Sequence, residues 1–148
     1  MVGFGRKRVG SSVITLADQA RDQGQWERAA GHYREALRRN LRKPAIWVQY
    51  GHVLKETGNL REAERAYRTA IGYDRNIADA YMWLGHILKI QRKKDAAKTA
   101  FLRAVALDPS LEDVFAEFAQ LDWSEAHVWE LRNMLQAVGR SNRQHRAR

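Results

Sequence analysis

Asp18, His52 and His86 stand 34 residues apart, and their types are those that hold zinc. A working zinc site needs three or four such ligands converging on one point. Packed helices lie roughly 8–10 Å apart. If each of the three sits on a successive helix pair, His52 and His86 can approach one another, while Asp18, two pairs from His86, cannot join them. No His-x-x-x-His and no cysteine supports the site, so no metal or cofactor is expected. The absence of cysteine also removes a thiolate nucleophile and any disulfide. No Gly-rich phosphate loop follows a strand, and no motif assembles Ser, His and Asp. Glu62, Glu64 and Asp95 fall beside Arg and Lys, where pairing on a solvated helix face accounts for them. The expectation is a chain without catalytic activity.

The same spacing runs through the chain. Trp26-Glu27-Arg28-Ala29, Leu60-Arg61-Glu62-Ala63 and Lys94-Asp95-Ala96-Ala97 are each one 34-residue period apart. Each runs on to an aromatic, an Ala and an aliphatic residue: Tyr33, Ala36, Leu37; Tyr67, Ala70, Ile71; Phe101, Ala104, Val105. Three registers hold only small residues: Ala17, Gly51, Gly85; Ala29, Ala63, Ala97; Ala36, Ala70, Ala104. Small residues recurring at a fixed period mark places where one helix lies closely against another. Apolar periodicity and turn residues predict helices over 12–23, 26–39, 45–57, 60–73, 78–91 and 94–107. Ser11 or Ser12 is placed to cap the first, and Asn59 with Glu62 to form a capping box on the fourth. Gly24 and Gly58 stop the helices before them, and Pro44 suits a first helical turn.

These residues resemble the tetratricopeptide repeat (TPR). Trp47, Tyr50, Gly51, Leu54, Gly58, Ala63, Tyr67 and Ala70 carry its signature in the middle repeat. Tyr81, Leu84, Gly85, Leu88, Ala97, Phe101, Ala104 and Pro109 carry it in the third, and Val13, Leu16, Ala17, Ala20, Gly24, Ala29, Tyr33 and Ala36 in the first. Arg92 replaces the turn Gly of the third repeat, and Leu41 and Arg75 stand where the first two would close on Pro. The resemblance implies an all-α, right-handed superhelix: three repeats over residues 11–109 (about 10–43, 44–77 and 78–111). A lead-in over 1–10, two capping helices over 110–138 and a basic disordered tail over 139–148 complete the organisation. The wording of residues 46–52 is also similar, loosely, to TPR segments ahead of glycosyltransferase or methyltransferase domains in bacterial proteins.

In the TPR arrangement the first helix of each pair lines a concave groove. The resemblance implies a groove with an apolar spine of Ile14, Val48 and Met82. A polar row (Asp18, His52, His86) and a basic row (Arg21, Lys55, Lys89) lie beside it. Trp83 sits at its edge, in the register of Gln49; Trp26, Trp47, Trp123 and Trp129 read as packing. Such a surface suits a protein or peptide carrying apolar side chains and some acid. TPR domains that grip a chaperone's C-terminal carboxylate use Lys and Asn where this chain has Ile14 and Asp18, so that clamp is absent.

Charge offers a rival reading. The net charge is +9; residues 1–10 hold three basic groups and 139–148 four arginines, while the body between nets only +2. Basic tails of this kind can bind nucleic acid or an anionic surface. No aromatic is interleaved with the terminal arginines, so base stacking is not indicated. No apolar run reaches the roughly 18–20 residues of a membrane span, and no secretory signal is read. The expected setting is the cytoplasm of a bacterium, with self-association through the stack's end as a further option.

Overall fold

How closely two helices can approach is decided by the side chains between them, and here those are alanine and glycine. The computed structural model describes residues 9–111 together with Leu121, Trp129, Asn133, Gln136 and Ala137. Six helices run through the continuous stretch: α1 (Val9–Asp22), α2 (Trp26–Arg39), α3 (Pro44–Glu56), α4 (Leu60–Tyr73), α5 (Ala78–Ile90) and α6 (Lys94–Leu107). No strand occurs among the described residues. The chain is an all-α helical repeat. Three pairs of helices reproduce the 34-residue period, and five of the six expected spans hold to within a residue. The exception is α1, helical from Val9, so Ser11 and Ser12 lie inside it and neither is its N-cap. The terminal basic segments 1–8 and 139–148, Trp123 and most of the expected capping helices fall outside the described residues.

The chain divides into two compact units, one ending at Arg75 and the other beginning at Asn76. In the first, α1 packs on α2, α2 on α3 and α3 on α4; in the second, α5 packs on α6. The core of the first unit gathers Ala17, Ala20, Ala29, Ala30, Tyr33 and Val53, with Trp26, Ile46 and Tyr50 packed against it. The glycines of the small registers explain why the helices sit so close. A Cβ built on Gly51 would stand 2.8 Å from Tyr67 Cε1, and one on Gly85 would stand 2.6 Å from Phe101 Cε1. In both repeats the glycine is a seat for the buried ring of its partner helix.

The turns inside the three pairs share one closure. Gly24 (φ +69°), Gly58 (φ +81°) and Arg92 (φ +62°) all adopt the left-handed conformation. Their N–H groups donate to Arg21, Lys55 and Lys89 carbonyls at 2.9 Å. The next N–H in each case reaches back five residues: Gln25 to Ala20, Asn59 to Leu54 and Lys93 to Leu88, all within 2.9 Å. This 6→1 bond is the Schellman closure. Arg92 therefore keeps the turn that its missing glycine put in question, at a steric cost of roughly 1–2 kcal/mol. Asn59 accepts from Glu62 N–H at 3.4 Å and so caps α4. The expected capping box is only half formed, because the Asn59 N–H donates to the Leu54 carbonyl and Glu62 Oε1 accepts from Arg65. Beyond α6, Ser110 donates its N–H (3.0 Å) and Oγ–H (2.6 Å) to Asp108 Oδ1, closing an Asx turn.

Candidate functional site

In each pair the second helix supplies a ring at a fixed register, Tyr33, Tyr67 and Phe101, and all three are fully buried. Asp18, His52 and His86 share the corresponding register of the first helix. The three couples solve the same packing problem with different chemistry. Tyr33 Oη donates to Asp18 Oδ1 at 2.6 Å. His86 meets Phe101 edge-on, with centroids 5.3 Å apart and planes at 86°. Tyr67 Oη is buried without a hydrogen-bond partner.

Around the first couple a polar network forms across α1, α2 and α3. Arg21 Nη1 donates to Asp18 Oδ1 (3.0 Å), Tyr33 Oη (2.9 Å) and Gln49 Oε1 (2.9 Å). Its Nε and Nη2 both donate to Asp22 Oδ1, at 3.0 and 2.8 Å. The guanidinium is thus used up within the fold, and its bond to Gln49 fastens the first repeat to the second. Burial, reinforced by the bond to Asp18, pushes the Tyr33 phenol well above its usual range and keeps it neutral.

One turn along α3, Lys55 Nζ pairs with Glu56 Oε1 at 2.5 Å, which holds the Glu56 carboxyl below its usual range. His52, half-buried between these groups, has its pKa lowered by burial first and by the charge of Lys55 next. Glu56 opposes the shift and Arg21 adds to it. This shift favours the neutral imidazole at pH 7. In the second unit the face of α5 carries Met82, Trp83, His86 and Lys89, all half-buried. Trp83 and His86 lie ring to ring, centroids 5.3 Å apart and tilted by 40°, so His86 is held between an indole and a buried phenyl ring.

The first unit thus brings Asp18, Arg21, His52 and Lys55 onto the first-helix face, with Ile14 half-buried on α1. Val48 departs from its expected place: it is 5% exposed and belongs to the packed core. α3 is covered by both α2 and α4, whereas α1, carrying Ile14 at the same register, packs on α2. A wider arc of α3 is consequently buried. Leu16, which carries the repeat signature on α1, is exposed for the matching reason. Trp129 is 67% exposed and is not a packing residue. The residues that sequence reasoning overlooked are Tyr33 and Gln49 as members of the network, and Glu56 as the partner of Lys55. A signal for the first was present: a Tyr where the third repeat has Phe, 15 residues after an Asp. Among the described residues no three His, Cys, Asp or Glu side chains group as a metal site.

Solved structures share this architecture. The Arabidopsis OM64 TPR domain aligns with a TM-score of 0.75 at 19% identity, over 80% of this chain and 98% of that one. The first TPR of Spaghetti (RPAP3), bound to the HSP90 peptide SRMEEVD, aligns with a TM-score of 0.71 at 18% identity, over 88% and 93%. No curated protein matches the sequence. The profile of the cilia and flagella-associated protein 70 middle TPR-like domain matches residues 13–148, and the chain belongs to that family.

Proposed function

We propose that the chain is a non-catalytic protein-interaction scaffold that takes a peptide or partner domain on the first-helix faces of its repeats. The observation that supports this reading is the state of those faces. In the first unit Ile14, Asp18, Arg21, His52 and Lys55 are half-buried, and on α5 so are Met82, Trp83, His86 and Lys89. Side chains partly locked by their own fold offer contact area at a reduced entropy cost on binding. Trp83, packed against His86 with the rings tilted by 40°, is the leading anchor for an apolar partner side chain. Lys55, although paired with Glu56, and Lys89 add positive charge to these faces, which favours acid in that partner, while Arg21, engaged with four acceptors, serves chiefly as a clip. The solved RPAP3 domain holds a peptide ending in Asp. Here Ile14 and Asp18 replace the residues that such a clamp would use, and Asp18 repels a carboxylate. The proposed ligand is therefore an internal segment with apolar and acidic residues rather than a chaperone's C-terminus. A chain without cysteine suits a reducing compartment, and the cytoplasm is the proposed setting.

Panning a random peptide library against the protein, then titrating the selected peptides, tests this reading. His52→Glu with Lys55→Glu, and separately Met82→Asp with Trp83→Ala, should each weaken the selected peptides at least ~10-fold, about 1.4 kcal/mol, with helicity unchanged by circular dichroism. Val48 is unsuited to this test because a charge there would unfold the core. Equal affinity of all three proteins would reject the face assignment.

A further inference from the structure

The connection between α2 and α3 concentrates charge in a way the chain's composition hides. Arg38-Arg39-Asn40-Leu41-Arg42-Lys43 holds four basic residues and no acid, and all six are exposed. Residues 11–138 together net only +2, so apart from these six the body is net acidic. Glu35 accepts from Arg39 at 2.9 Å and lies 3.9 Å from Arg38. Arg42 and Lys43 have no ion-pair partner among the described residues. In the middle of these cations Leu41 is 52% exposed.

The turn is held in shape rather than loose. Arg42 N–H donates to Asn40 Oδ1 at 3.0 Å, and Trp47 Nε1–H donates to the Leu41 carbonyl at 2.7 Å. α3 and α4 form an antiparallel pair, so the C-terminus of α4 lies at the same end of the unit as the start of α3. There Tyr73 is 44% exposed. One end of the first unit thus presents an exposed Leu and Tyr, the half-buried Trp47 and a run of Arg and Lys, with the exposed Asp74 beside Tyr73.

We infer that this end of the first unit, built on Leu41, Tyr73, Arg38, Arg39, Arg42 and Lys43, docks on an anionic membrane surface. An apolar side chain flanked in sequence by four exposed cations is poorly suited to the centre of a protein interface, where charge is depleted. It matches a bilayer's layering: apolar groups reach the acyl boundary, aromatic rings sit at headgroup depth, and Arg and Lys meet anionic headgroups. No described helix is long and apolar enough to cross a membrane, so the contact is peripheral. The surface is separate from the first-helix faces proposed for peptide binding.

Sedimentation with vesicles tests the inference. The full chain should bind mixed phosphatidylcholine–phosphatidylserine vesicles, less so as salt rises, and not pure phosphatidylcholine. Each Lys or Arg near the surface is worth roughly five-fold in partition, so Arg42→Glu with Lys43→Glu should reduce binding at least ~25-fold. Leu41→Ser should reduce it about 5-fold through lost apolar contact. Deleting residues 139–148 should leave most of the binding in place. Circular dichroism reports whether each variant keeps its fold, and these residues are exposed, so each should. Three outcomes overturn the inference: no vesicle binding by the full chain, binding abolished by the tail deletion and indifferent to the turn variants, or an indifferent Leu41→Ser accompanied by equal binding to a single-stranded oligonucleotide or a polyglutamate peptide. The last result would make the turn a polyanion patch and not a membrane contact.

Discussion

Arg21 is the residue whose type and use differ most. By register it belongs with Lys55 and Lys89, yet its guanidinium donates to Asp18, Asp22, Tyr33 and Gln49. The difference between Tyr33 and Tyr67 follows from that network and can be measured. Tyr33→Phe removes a buried hydroxyl that both donates and accepts, leaving Asp18 and Arg21 short of a partner; urea unfolding should show a loss of about 1–3 kcal/mol. Tyr67→Phe removes a buried hydroxyl with no partner and should be neutral or stabilising. An equal loss in both variants would show that the network is not what holds Tyr33. His52 yields a pH prediction. Its folded pKa lies below the ordinary 6.5, so the unfolded chain takes up the proton more readily. Stability from this group is fully present above pH 6.5 and declines as the pH falls through the lowered value. His52→Gln should flatten that decline in unfolding curves taken between pH 7 and 5. Sequence made the residues of this face visible, because register places them there. It did not make visible which of them are engaged, since Gln49 and Tyr33 reach Arg21 from helices far off in sequence.

At the scale of the helix, spacing was enough to place nearly every boundary. Period, turn residue and small-residue register agree with one another, and each reports local geometry. The glycines separate two uses of the same residue. Gly51 and Gly85 sit under Tyr67 and Phe101, so Gly51→Ala or Gly85→Ala must push a buried ring aside, at about 1–3 kcal/mol each. Gly31 and Gly72 have open space at the Cβ position. There Gly→Ala should stabilise by roughly 0.5–1 kcal/mol through helix propensity alone. Arg92, left-handed at φ +62°, should gain stability on replacement by Gly. Thermal melts of these five variants would check the set, and the same sign for Gly51→Ala and Gly72→Ala would contradict the seat assigned to the ring. Burial was less legible than placement. Val48 and Leu16 depart from expectation because exposure depends on how many neighbours a helix has, which the period of a single helix does not encode. The loose likeness of residues 46–52 to transferase-linked segments finds no support in the family model or in the two solved domains. In α3, Val48 and Gly51 are buried, so packing alone accounts for part of that wording.

On the scale of the molecule, two compact units each carry a packed second-helix core and a less covered first-helix face. The charge that the tails dominate in a count is locally strongest in the body at the α2–α3 connection. The account's central claim is that the first-helix faces are where a protein ligand sits. Backbone amide shifts on titration with a selected peptide test that most directly. The account predicts changes concentrated at Asp18, His52 and Lys55 in the first unit and at Met82, Trp83, His86 and Lys89 in the second. Changes concentrated instead on the exposed sides of α2, α4 and α6, with those seven residues still, would contradict it.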